Sequence, residues 1–151
     1  MGEITHVSKL TIQEPANRSE VNEARDRVLE EAILAMQVAA DHIDAIFYIA
    51  NRPMRVQAIR VVQATAGTDA GAQGYNVEKL TGTQGPSAGV NLLAADVNMK
   101  TEVANTVGSK ALTATAADLE LAGGDRLAFD RNEAPTTGLT NSVIAVALIP
   151  V

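Results

Sequence analysis

Ile46-Phe-Tyr-Ile-Ala50, Asn51-Arg-Pro53, Met54-Arg-Val-Gln-Ala-Ile-Arg-Val-Val-Gln-Ala-Thr-Ala66, Gly67-Thr-Asp-Ala-Gly-Ala72 and Tyr75-Asn-Val-Glu-Lys-Leu-Thr81 decide the fold class. They alternate β-branched runs with turn residues, so they spell strand, corner, long strand, glycine-rich loop, strand. Pro53 lacks a backbone donor and suits a strand start or corner. Within 54–65 the apolar phase breaks. Val56 and Ala58 share one face, whereas Ile59 and Val61 share the other. One extra residue, a β-bulge, would reconcile the two halves.

Outward from this stretch the pattern repeats. Ile46 to Ala50 is apolar at successive positions, as expected of a strand buried on both faces. Tyr75 and Val77 face one way, Asn76 and Glu78 the other. Residues 82–89 (Gly-Thr-Gln-Gly-Pro-Ser-Ala-Gly) have the composition of a long mobile loop. Val97, Met99, Thr101 and Val103 alternate with Asp96, Asn98, Lys100 and Glu102, which predicts a half-buried strand. Residues 110–115 give another short strand. Leu119-Glu-Leu121 leads to a turn at Gly123-Gly124-Asp125, and 126–131 follows with Leu127 and Phe129 inward. After the loop 132–141, Ile144, Val146 and Leu148 share one face of a last strand, with Ser142, Ala145 and Ala147 suited to close packing on the other. Roughly eight short antiparallel strands with turns between them predict an all-β sandwich or jelly roll. No sustained helix follows a strand, which argues against a parallel α/β sheet.

The N-terminal region differs. In 1–18, Ser8-Lys9-Leu10-Thr11-Ile12 alternates like a short strand, then Pro15 and Asn17 break it. Such a piece is either a frayed terminus or an arm that adds a strand to a neighbouring subunit or partner. Asn17 and Glu20 fit a capping box, so 20–31 is expected as a short helix. Residues 32–39 are ambiguous, because their composition also suits continued helix. The expected organisation is an arm with a possible short helix over 1–31 and a sandwich over 32–151.

Composition bounds function. The 151 residues suffice for one domain with a real core. Hydrophobic residues are 46% but aromatic ones only 3%, so small aliphatic side chains must fill the interior. Each buries little area, at about 25 cal/mol per Å², and a partner surface would help such a domain. The net charge of −6 and the lack of any Lys/Arg cluster argue against nucleic-acid binding. There is no cysteine, hence no disulfide or thiolate chemistry. The start lacks a basic n-region and an apolar h-region, so no signal peptide is expected. The apolar run 143–149 is too short to span a bilayer, so no membrane partner is expected.

No chemical signature emerges. Asp41-His42-x-Asp44 offers ligand-type residues, but on a strand Asp41 points away from the other two; His6 stands alone. Ser87 and Ser109 sit in polar stretches without a nucleophile elbow or a neighbouring base. Asp125 and Asp130 could be paired carboxylates, yet a turn and a strand end explain them. The chain has no Trp and few Tyr or Phe to platform a sugar. The loop 67–72 lacks Gly-Lys-Ser/Thr and precedes a β-rich segment, so it reads as a turn rather than a phosphate cradle. The expectation is no catalytic, metal or cofactor site.

Taken in order, Ala39-Ala40-Asp41-His42-Ile43-Asp44, Phe47-Tyr48-Ile49-Ala50-Asn51-Arg52-Pro53, Ala64-Thr65-Ala66-Gly67-Thr68-Asp69-Ala70-Gly71-Ala72, Val77-Glu78-Lys79-Leu80-Thr81-Gly82-Thr83 and Gly124-Asp125-Arg126-Leu127-Ala128 resemble small jelly-roll-like head proteins of tailed phages, the capsid decoration or cement proteins. The resemblance spans roughly 32–151 and favours a strand over 32–39. It implies a non-enzymatic virion protein on the outer surface of an icosahedral head. It would be a trimer bridging major capsid proteins. Val7, Leu10 and Ile12 of the arm would then be the capsid or subunit contacts. The alternative is a head-fibre or adhesin module binding a host glycan through the loops 82–91 or 132–141.

Overall fold

The computed structural model describes residues 30–38, 44–68, 74–132 and 140–151. Among the described residues, ten strands run in chain order: β1 (Glu30–Val38), β2 (Ala45–Ile49), β3 (Met54–Thr65), β4 (Gly74–Leu80), β5 (Val90–Asn91), β6 (Val97–Asn98), β7 (Gly108–Lys110), β8 (Glu120–Leu121), β9 (Arg126–Arg131) and β10 (Thr140–Pro150). A 3₁₀ turn, Ala116–Leu119, precedes β8. One sheet has the order β1-β10-β3-β7, with β8 also on β3; the other has β2-β9-β4-β5, with β6 also on β4. Every pairing is antiparallel. The fold is the expected all-β sandwich.

The long strands carry it. On β10, Ile144, Val146 and Leu148 are fully buried; they meet Val61, Ile59 and Val56 of β3 in register. Ala147 pairs with Ala58 and Leu148 with Val56, so Gln57 is the extra residue of a bulge. Ahead of it Met54 and Val56 point inward; after it Ile59, Val61 and Gln63 do. The phase break in the sequence thus has its predicted cause. On β1, Ala32 and Leu34 join the same core. From the facing sheet come Tyr75, Val77, Leu127 and Phe129, with the Tyr75 and Phe129 rings 5.2 Å apart. Each fully buried side chain of this size contributes about 1.5–3 kcal/mol.

Several local expectations are corrected. β1 includes Glu30 and Glu31, which the capping-box reading gave to the helix; residues 20–29 lie outside the described residues. β2 is an edge strand among the described residues, with Ile46 45% and Ile49 59% exposed, so it is not buried on both faces. The predicted strand over 97–103 shrinks to Val97–Asn98. Asn98 ends it: its side-chain oxygen accepts from the Lys100 N–H, and its carbonyl from Thr101 N–H and hydroxyl. This local satisfaction competes with the ladder. Met99 stays buried while Val103 is 68% exposed. The strand expected at 110–115 is displaced to Gly108–Lys110, leaving Leu112 in a lone bridge to Leu93. Ser142 shares the buried face of Ile144 rather than the opposite one.

Candidate interaction surface

Of the residues singled out for chemistry, the described ones do not converge, apart from Ser87 and Asp130. Val7, Leu10, Ile12, His6, Asp41 and His42 lie outside the described residues. Asp44, exposed before β2, accepts from the Arg131 N–H at 3.1 Å. Asp125 accepts from the Ala122 N–H at 2.8 Å and closes its turn. Ser109 is exposed on β7, and of the loop 67–72 only 67–68 are described. Among the described residues, no three His, Cys, Asp or Glu side chains are placed to hold a metal ion. Nor is any described helix long and apolar enough to cross a membrane.

Ser87 and Asp130 do meet, without forming a nucleophilic site. Asn76, Glu78, Leu80, Ala128 and Asp130 face outward from β4 and β9, as their register requires. Yet Glu78 is 4% and Asp130 8% exposed, because the segment 82–91 folds over them. The Ser87 hydroxyl donates to Asp130 Oδ1 at 2.6 Å, and the Ser87 N–H donates to Glu78 Oε2 at 2.9 Å. Gln84 ties the same segment, accepting from Thr81 N–H and donating to the Ala88 carbonyl. A Cβ at Gly89 would lie 2.5 Å from Leu80 Cδ2 and 2.7 Å from the Lys79 carbonyl, so only glycine lets the segment lie this flat. The loop expected to be mobile is therefore fastened down.

Burial, then the neighbouring Asp130 charge, pushes the Glu78 carboxyl above its ordinary range; the N–H groups of Ser87 and Gly89 oppose this, and Asp44 adds to it. A catalytic triad places an imidazole between serine and carboxylate, whereas here the hydroxyl donates to the carboxylate directly. The sequence missed this cluster because Asn76 and Glu78 alternate with apolar residues as a wet face does. Only Gly89, through the approach it permits, hints at the cover.

What the surface offers is contact area. Ile46 and Ile49 lie on the outer face of β2, and Ile33 on that of β1. Across the first sheet, Ile33, Ala145 and Arg60 share a row, next to Ala35, Val143 and Val62. At the end where β1 begins, Glu30 accepts from the Tyr48 hydroxyl at 3.0 Å and from Arg52 at 3.1 Å. Burial, then the Glu30 hydrogen bond and charge, pushes the Tyr48 phenol up to about 12. Beside Arg52 opens a groove of about 370 Å³ lined by Pro53, Met54, Leu121, Ala122, Asp125 and Val151. Glu120 and Ala117 complete its walls, so two carboxyl side chains, Glu120 and Asp125, border an otherwise apolar lining. The segment 82–91 presents no aromatic ring to a sugar.

No protein-family description matches the chain, and no curated protein matches its sequence. In three dimensions it is similar to a chain of the capsid of Ralstonia phage GP4. The two share 14% identity at a TM-score of 0.55, over 82% of this chain and 85% of that one. At that identity the likeness is one of fold.

Proposed function

We propose that the chain is a structural virion protein that decorates the outer surface of an icosahedral phage head and stabilises it by bridging major capsid proteins. The carrying observation is the fold shared with a phage capsid chain across most of both molecules. The motif order of head decoration proteins agrees with it. So does a surface of exposed aliphatic side chains. The role is mechanical and turns over no substrate. In this reading the molecule is a trimer, whose closure covers aliphatic sheet faces that one copy leaves open. The arm supplies the anchors, with Val7, Leu10 and Ile12 entering apolar sites of the shell while its backbone adds a strand.

The test is reconstitution on heads assembled without the protein. Added chain should sediment with the heads, appear by cryo-electron microscopy on their exterior, and restore resistance to heat and low ionic strength. Heads that neither bind it nor gain resistance would remove the proposal.

A further inference from the structure

The segment 82–91 is fastened in two different ways. Its ends are held independently of any carboxylate. Arg126 donates to the Gly82 carbonyl at 2.8 Å and to the Gln84 carbonyl at 3.1 Å, while Val90 and Asn91 pair with Lys79 and Glu78 as β5. Its middle, Gly85-Pro86-Ser87-Ala88, is a turn closed by the Ala88 N–H on the Gly85 carbonyl at 3.2 Å. Carboxylates hold this turn to the sheet. The Ser87 hydroxyl donates to Asp130, the Ser87 N–H to Glu78, and the Gly89 N–H also to Glu78.

Two acids thus lie under one uncharged cover, because residues 82–91 contain no Asp, Glu, Lys, Arg or His. Glu78 pairs with Ala128, so Asp130 is its diagonal neighbour on the same face. Both acids are buried, and neither is in an ion pair among the described residues. The other charged groups around them do not supply a cation. Asp44, before β2, adds to the repulsion, and Arg131 sits beside Asp44. Asp96 accepts from Asn76 and Asn132. Lys79 is turned to the Ala117 and Glu120 carbonyls. When Glu78 is neutral, its oxygen still accepts the two N–H groups and Asp130 keeps the hydroxyl. When both acids are charged, burial and poorly screened repulsion oppose the closed cover. Lifting it admits water to both.

We propose that 85–89 is a pH-governed strap, closed while Glu78 is uncharged and lifted from the sheet when Glu78 ionises beside Asp130. In the closed strap the Glu78 carboxyl titrates above its ordinary value; in the lifted one it returns toward it. The opening equilibrium therefore rises with pH between those two values and levels off above them. Gly85 has nothing within 4 Å of where a Cβ would lie, which leaves the turn room to swing. Arg126 and β5 keep the two ends in place. The device belongs to the chain itself and does not rest on a role on a phage head.

Amide hydrogen exchange on the full-length chain, read by nuclear magnetic resonance and corrected for intrinsic rates, tests it. Above the ordinary carboxylate range, protection of the Ser87 and Gly89 N–H groups should fall as pH rises, by up to about 10-fold per pH unit. The N–H groups of the β4–β9 and β3–β10 ladders should keep theirs. Glu78→Gln should remove the fall. Asp130→Asn should make it shallower without removing it, because burial still opposes the Glu78 charge. Protection that does not change with pH overturns the proposal. So does a fall equally steep in either variant, and so do ladder groups that lose protection in step, which would mean that the sheet opens rather than the strap. If Glu78→Gln does not fold, the wild-type profile and Asp130→Asn still decide.

Discussion

Glu78 shows how one residue can work against the fold that buries it. Two backbone N–H groups reward its charge, but burial and two carboxylates on its side of the sheet penalise it more. Folding therefore shifts this carboxyl toward its neutral form relative to the unfolded chain. A carboxyl raised on folding contributes its stability below its unfolded value, and that contribution is lost as pH rises through the folded one. Stability from this residue should fall with increasing pH, starting from the ordinary carboxylate value of 4.5. Glu78→Gln keeps a carbonyl acceptor for the Ser87 N–H and brings an NH₂ toward Asp130. The variant should match the wild type near pH 4 and exceed it by on the order of 1 kcal/mol at neutral pH. Urea midpoints across that range decide it; a difference that does not change with pH would refute the assignment. Ser87, with a left-handed φ of 66°, makes the same point from the other side. That conformation costs a non-glycine residue about 1 kcal/mol or more, and its two hydrogen bonds to carboxylates offset it.

Elements obey the inside–outside count more strictly than composition. Gln57 is exposed and touches no core residue's role, yet it sets which face Ile59, Val61 and Gln63 present. Deleting it should rotate one half of β3 by a face, exposing either Met54 and Val56 or Ile59 and Val61. The expected result is an unfolded or aggregated chain, whereas Gln57→Thr should change stability by less than about 0.5 kcal/mol. Circular dichroism and gel filtration separate the two outcomes, and a soluble folded deletion would show that the register can slip. This bulge was legible because four buried aliphatics record the phase on both sides of it. Other elements were not. Val97 to Val103 alternates as a strand does, but Asn98 turns the backbone, and two matching residues past the turn are coincidence. Ile46 to Ile49 is apolar enough for a central strand, and one sequence cannot say that its pairing ends at β9. Asn76 and Glu78 looked solvated because the cover comes from ten residues downstream. Local phase was readable; what lies across a sheet was not.

At the scale of the molecule, the proposed division into arm and sandwich is tested by truncation. Every buried core side chain described lies at or beyond Ala32, and β1 pairs with β10 along nearly its whole length. The arm residues proposed to grip a shell, Val7, Leu10 and Ile12, lie well before it. A chain starting at residue 19 should therefore keep its stability within about 0.5 kcal/mol but lose binding to heads. A chain starting at residue 39 should behave otherwise. It would lose Leu34 from the core, worth about 2–5 kcal/mol as a large-to-small change, along with Ala32 and the whole β1 ladder. Against a typical domain stability of about 5–15 kcal/mol, that loss leaves little, and it bares the edge of β10 to pairing between copies. The shorter chain should aggregate, while the longer one melts like the full-length protein. Thermal melts and co-sedimentation with heads read both effects. Full head binding by the chain starting at 19 would move the contact from the arm to the sandwich, and a normal melt for the chain starting at 39 would deny β1 its part in the core.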